Sequence, residues 1–144
     1  MNRAALRLCE PPPPARRSRG GSRRTAPGHL GRAGEEAAAR FLTSLGYRIQ
    51  ARGFRTRLGE IDLVAEEAGT LVFVEVKSRT SLTCGTPAEA VDARKRSRLL
   101  RAAAVYLLRQ GCSDHPCRFD VVEVLEGSDG SRRITLIRDA FQAS

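Results

Sequence analysis

The residues best suited to do chemistry lie in one stretch: Gly59-Glu60-Ile61-Asp62-Leu63-Val64-Ala65, then Leu71-Val72-Phe73-Val74-Glu75-Val76-Lys77. Each half alternates like a strand that buries one face. Glu66-Glu67-Ala68-Gly69-Thr70 lies between them. A two-residue hairpin loop at Ala68-Gly69 pairs Glu67 with Thr70, Asp62 with Glu75 and Glu60 with Lys77. Glu60, Asp62, Glu75 and Lys77 then project from one face, while Ile61, Leu63, Val74 and Val76 fill the other. Carboxylates at close range disfavour one another's ionisation, and a divalent cation resolves the conflict. Mg²⁺ (or Mn²⁺) is commonly held by one or two carboxylates plus waters and substrate phosphates. The leading reading is therefore a metal-dependent phosphodiester site. A type I turn with a bulge at Gly69 is the rival turn, and an uncompensated one-residue slip would send Asp62 and Glu75 to opposite faces. The bland alternative is a solvated polar face; acids on two adjacent apolar strands weigh against it.

The elements around this hairpin must position it. Leu30, Ala33, Ala37, Phe41 and Leu45 form a helical stripe, and Gly46 is a natural stop. Glu35 and Glu36 fall in the first turns, where they complement the helix dipole or bring one carboxylate to the metal site; the dipole is the simpler account. Tyr47 to Phe54 reads as a first strand, with Arg52, Arg55 and Arg57 around its end. Residues 78–87 read as a loop, and Pro87 suits a helical first turn. Residues 88–110 read as a helix, in one piece or two, with a stripe of Leu99, Ala103, Tyr106 and Leu107. Arg94, Lys95, Arg96, Arg98 and Arg101 crowd its start, where cations oppose the dipole. A phosphate backbone accounts for them, as does a solvated basic face. Arg118 to Leu125 and Arg133 to Ile137 read as strands joined by a turn at 127–130. The order is that of an α/β domain with a mixed sheet.

The net charge of +9 is almost all arginine, since Lys77 and Lys95 are the only lysines. Arginine suits bidentate phosphate contact, which points to nucleic acid. The charge is uneven: residues 1–30 hold seven Arg against one Glu, so the rest of the chain is only mildly basic. Residues 1–28, with Pro11-Pro12-Pro13-Pro14 and paired arginines, read as a disordered basic extension without a secretory apolar region. Residues 29–144 are left as one domain. Four scattered cysteines argue against a disulfide framework and for a reducing cytoplasm. Cys112, His115 and Cys117 lack a nearby fourth ligand and read as an ordinary loop. No apolar run approaches the roughly 20 residues of a membrane span, and no Gly-rich phosphate loop, dinucleotide fingerprint or obvious triad is present.

Asp62 followed by Glu75-Val76-Lys77 fits the D…(D/E)-x-K signature of restriction-endonuclease-like nucleases, a degenerate pattern taken alone. The longer set is more specific: Gly31-x-x-Gly34-Glu35-x-x-Ala38, Gly46-Tyr47, Gly59-Glu60-Ile61-Asp62, Val72-Phe73-Val74-Glu75-Val76-Lys77-x-Arg79, Lys95, Arg118-Phe119-Asp120-Val121 and Ala140-Phe141. Together these resemble the YraN family over about residues 29–141. The resemblance implies a restriction-endonuclease-like fold, a mixed β-sheet flanked by helices, similar to archaeal Holliday junction resolvases. It implies a Mg²⁺-dependent nuclease acting on DNA, branched or structured DNA included. Asp62 and Glu75 would hold the metal with the Val76 carbonyl. Lys77 would orient or activate the attacking water, or stabilise developing charge, and Glu35 and Glu60 would be auxiliary carboxylates. Arg55, Arg57, Arg79, Arg94, Lys95 and Arg98 are the expected phosphate contacts. Resolvase-like action would need a homodimer, for which the sequence carries no signal. One departure is Gly53, where the family usually has Asn. The rivals are a non-catalytic nucleic-acid-binding module and an adaptor in DNA transactions, each with a vestigial site.

Overall fold

The computed structural model describes residues 28–80 and 93–141. All but Gly28 of the basic extension expected at 1–28, most of the loop expected at 78–87 and the start of the helix expected from residue 88 lie outside those residues. The described elements are α1 (Gly28–Ser44), β1 (Arg48–Arg55), β2 (Glu60–Glu67), β3 (Thr70–Thr80), α2 (Ala93–Gln110), β4 (Cys117–Glu126) and β5 (Arg132–Phe141). The five strands form one sheet in the order β1-β2-β3-β4-β5. β3 and β4 pair in parallel and the other neighbours antiparallel. A parallel pair needs a crossover, and α2 lies on it. The result is the expected α/β architecture, a restriction-endonuclease-like mixed sheet flanked by helices.

Each sheet face is covered by one helix. On one side Ala38, Ala39 and Leu42 of α1 pack on Leu63, Ala65, Val72, Val74, Val122 and Val124. On the other, Leu99, Ala102, Ala103 and Tyr106 of α2 pack on Val64, Leu71, Phe73, Phe119, Val121 and Phe141. Strands buried on both faces read as continuous apolar runs, which is why Leu71-Val72-Phe73-Val74 carries no polar residue.

The central hairpin has the expected register. Glu67 opposes Thr70, and pairing continues through Leu63 opposite Val74. Ala68 (φ 49°) and Gly69 (φ 80°) both have positive φ, the signature of a type I′ turn whose twist matches the strands. No bulge forms at Gly69. The ladder stops one pair short of Asp62 and Glu75. There the Asp62 Oδ2 accepts the Val76 N–H at 2.9 Å, a side chain taking a backbone donor beyond the ladder.

Three sequence expectations need correction. The buried face of α1 is Ala37, Ala38, Ala39 and Leu42, not the stripe through Phe41 and Leu45, and Leu45 is 45% exposed. Small residues set this face, because a Cβ on Gly34 would lie 1.9 Å from the Ser78 Oγ. Ser78, Arg79 and Thr80 belong to β3 rather than a loop, since they pair with Val124, Leu125 and Glu126. Ile61 joins the α2 side rather than that of Leu63: opposite Phe54 and past the end of the β2–β3 ladder, it is released from the hairpin's alternation.

A buried polar network ties β4 to the end of α1. Asp120 is fully buried. Its carboxylate accepts from Tyr47 Oη (3.2 Å), Arg118 Nε (3.1 Å) and the Asp139 N–H (2.9 Å). Arg118 also donates to Tyr47 Oη at 2.8 Å and to Glu67, which is joined by Arg138 at 3.2 Å. A carboxylate buried with this many donors is satisfied.

Candidate active site

Asp62 and Glu75 come together at the end of the β2–β3 ladder, on the face covered by α2. Glu75 is 5% exposed. Two ammonium groups meet its Oε1: Lys77 at 3.7 Å and Lys95, from the start of α2, in direct contact. Asp62 hydrogen-bonds to Glu75 and to the Val76 N–H. Its carboxyl is pushed up to about 8 by burial and then by the neighbouring Glu75 charge. Lys77 is pushed down by burial and by the ammonium of Lys95. Burial lowers Lys95 as well, but its bond to Glu75 outweighs that and raises it.

Glu35 joins the cluster from α1, through a side-chain hydrogen bond to Asp62. Its carboxyl is raised by burial and by Glu60. Glu36 instead points to the surface, paired with Arg40 (3.2 Å) and Arg52. The two adjacent glutamates thus divide the alternatives left by the sequence: one faces the cluster and the other is a surface residue. Glu60 stands at the margin, its Oε1 bonded to Arg55 Nε at 3.1 Å.

Asp62, Glu75 and Glu60 line a groove of about 830 Å³ with Arg55, Arg57, Arg94, Lys95 and Arg98, while Glu35 and Lys77 are not among its lining residues. Local chemistry fixes its walls. The loop between β1 and β2 closes with the Thr56 N–H on the Gly59 carbonyl (2.8 Å). The Thr56 Oγ1 accepts the Leu58 and Gly59 N–H groups at 3.0 and 3.1 Å. Gly59 lies so near α2 that a Cβ would stand 2.3 Å from the Arg98 carbonyl. This contact accounts for the glycine in Gly59-Glu60-Ile61-Asp62: any side chain would push the Arg55–Arg57 wall away from the Arg94–Arg98 wall.

Of the six expected phosphate contacts, five line this groove; Arg79 does not. Its guanidinium lies 3.5 Å from Glu123 on the neighbouring strand and is 17% exposed. Arg96, also at the helix start, turns away and lies over the Phe141 ring. Lys95 has a role the sequence did not suggest, as an ion-pair partner of Glu75. The sequence marked it as a basic residue of the helix start and as part of the motif set, but not as this partner, because the contact joins elements far apart in the chain. Cys112 and His115 lie in the turn before β4, where the His115 N–H bonds the Cys112 carbonyl at 2.9 Å, and Cys117 opens β4.

Among the described residues no three His, Cys, Asp or Glu side chains converge as a preformed metal cage. The donors nevertheless suit a hard divalent cation. They are oxygens, two carboxylates are in contact, and burial followed by the Glu75 charge disfavours the ionised Asp62, a cost that a cation would offset. No described helix is long and apolar enough to cross a membrane.

Comparison with known proteins places this geometry in a family. The model of the uncharacterised protein family UPF0102 matches residues 34–124, a span that runs from Gly34 through the carboxylate cluster to β4. A UPF0102 protein of Symbiobacterium thermophilum is 59% identical over 114 residues, covering 79% of this chain and 97% of the relative. One from Moorella thermoacetica is 49% identical over 112 residues, covering 77% and 93%. One from Desulforapulum autotrophicum is 49% identical over 113 residues, covering 78% and 93%. With so much of the domain shared, the chain belongs to the UPF0102 family, also called the YraN family.

Proposed function

We propose that the protein is a Mg²⁺-dependent nuclease that hydrolyses phosphodiester bonds in DNA. The observation that carries this reading is the segregation of charge in one groove. Asp62, Glu75 and two lysines form a compact cluster, and Arg55, Arg57, Arg94 and Arg98 line the space around it. A polyanion held by those arginines brings a phosphate to the carboxylates. A module that only bound DNA would gain nothing from buried acids facing phosphates, since their repulsion weakens binding.

Asp62 and Glu75 would hold the ion, with the Val76 carbonyl, and when bound it would offset charge on the attacked phosphate. Lys77 stands beside Glu75, where its ammonium can orient the attacking water or stabilise developing negative charge. Glu35 hydrogen-bonds to Asp62, and its charge helps set how readily Asp62 ionises. The backbone bond from Val76 fixes the Asp62 carboxylate in place, a preorganisation that reduces reorientation during reaction.

A second reading is favoured by one observation: Lys95 already answers Glu75, and Asp62 is raised to about 8, so the cluster is balanced without metal. That suits a nucleic-acid-binding module with a vestigial site. Charge-class substitutions separate the two. Under the nuclease reading, Asp62→Ala or Glu75→Ala abolishes Mg²⁺-dependent cleavage and leaves binding in EDTA intact or tighter. Arg94→Ala with Arg98→Ala weakens binding and flattens its salt dependence by roughly 0.9 in slope per lost contact. Carboxylate variants that lose DNA binding in EDTA as fully as the arginine variants would refute this division of roles.

A further inference from the structure

Glu75 carries more positive charge than a single buried carboxylate needs. Lys77 lies two residues along the same strand, while Lys95 reaches the same oxygen from α2 across the groove. Two ammonium groups side by side repel each other, so one would be the economical choice. Composition sharpens the point. Lys77 and Lys95 are the only lysines among 25 basic residues, and both converge on Glu75. Elsewhere the chain uses arginine, whose planar fork holds a carboxylate in two bonds; here it keeps the compact ammonium on a flexible four-carbon stem. Lys95 is also 38% exposed at the groove wall, which it lines with Arg94 and Arg98.

We propose that Lys95 is a displaceable counter-ion of Glu75: it balances the carboxylate without metal, gives way to a divalent cation, and then contacts phosphate beside Arg94 and Arg98. This rests on the nuclease reading of the groove. A divalent ion at Glu75 and an ammonium on the same oxygen compete for one position and repel each other. Displacement moves one positive charge from the floor of the groove to its wall. Metal loading and DNA binding are then coupled, each favouring the other.

Calorimetric titration of the full chain with Mn²⁺ tests this. Lys95→Gln removes the competitor and should tighten Mn²⁺ binding on the order of tenfold. Lys95→Arg, which holds Glu75 in two bonds, should weaken it. The second readout is the salt dependence of binding to a DNA duplex, with Ca²⁺ and in EDTA. Wild type should gain about one phosphate contact on adding the ion, a slope change of roughly 0.9, and Lys95→Gln should gain none. Mn²⁺ affinity in Lys95→Gln equal to or weaker than wild type overturns the counter-ion assignment. If Asp62→Ala still removes the Mn²⁺ site in that case, the metal reading stands alone. If neither wild type nor Lys95→Gln binds Mn²⁺, both fall together.

Discussion

Replacing Asp62 by Asn should stabilise the metal-free protein, by an amount that grows with pH. The Asp62 carboxyl is raised from 3.8 to about 8, first by burial and then by Glu75. Below 3.8 the group is protonated in both folded and unfolded chains, and its contribution is fully present. Between 3.8 and 8 the folded state keeps a proton that the unfolded state has lost, so stability falls as pH rises; above 8 the loss is complete. The whole shift corresponds to about 6 kcal/mol at 1.36 kcal/mol per unit. The Val76 N–H bond favours the charged form of Asp62, and the group is partly open to the groove, which reduces the expected difference to about 2 kcal/mol. Asn keeps an acceptor for the Val76 N–H and does not titrate. Urea unfolding in EDTA at pH 5, 7 and 8.5 should show the Asn variant gaining on wild type at each step. Saturating Mg²⁺ should narrow the gap, because an ion that binds only the folded wild type stabilises it by about 2.7 kcal/mol at one hundred times its dissociation constant. A gap independent of pH would refute the claim that Asp62 is strained by its neighbours.

Other substitutions test the fold around the site. Asp120→Ala strands Arg118, Tyr47 and the Asp139 N–H and should cost about 3 kcal/mol in urea unfolding, while DNA binding by the folded fraction stays unchanged. Ala68 is held at φ 49° in the hairpin turn, so Ala68→Asn should stabilise by about 0.5–1 kcal/mol in thermal unfolding, the backbone strain being relieved. Gly53 sits at φ 62° with open space around its Cα. Gly53→Asn should therefore be within about 0.5 kcal/mol of wild type, and Gly53→Val should lose about 1 kcal/mol or more, both read by urea unfolding.

The Gly53 geometry also explains a departure visible in the sequence. Asn and Gly are the residues that most readily adopt the left-handed conformation β1 requires there, so one can replace the other for backbone reasons alone. The hairpin was the most legible element, because a two-residue turn fixes register and register fixes which acids share a face. The strands and the α2 stripe were nearly as clear, through period-2 and period-3.6 patterns. The α1 face was misjudged because the eye follows large residues, whereas close packing at Gly34 and Ser78 selects Ala38 and Leu42. The end of β3 was missed because Ser78-Arg79-Thr80 is polar, and a parallel partner supplied by β4 is invisible in local pattern. The same limit hid the contacts of Lys95 with Glu75, Arg79 with Glu123 and Arg118 with Asp120. The Lys95 and Arg79 contacts join separate elements, the Arg118 contact lies within β4, and charge type alone does not choose between an internal carboxylate and a phosphate.

The most direct test of the central claim is cleavage by the purified chain, with Mg²⁺ or Mn²⁺, of end-labelled duplex, single-stranded and branched DNA, with Asp62→Ala as control. The account predicts metal-dependent cleavage of at least one form, abolished in Asp62→Ala and in EDTA. Binding without cleavage of any form, with wild type and Asp62→Ala indistinguishable, would contradict it.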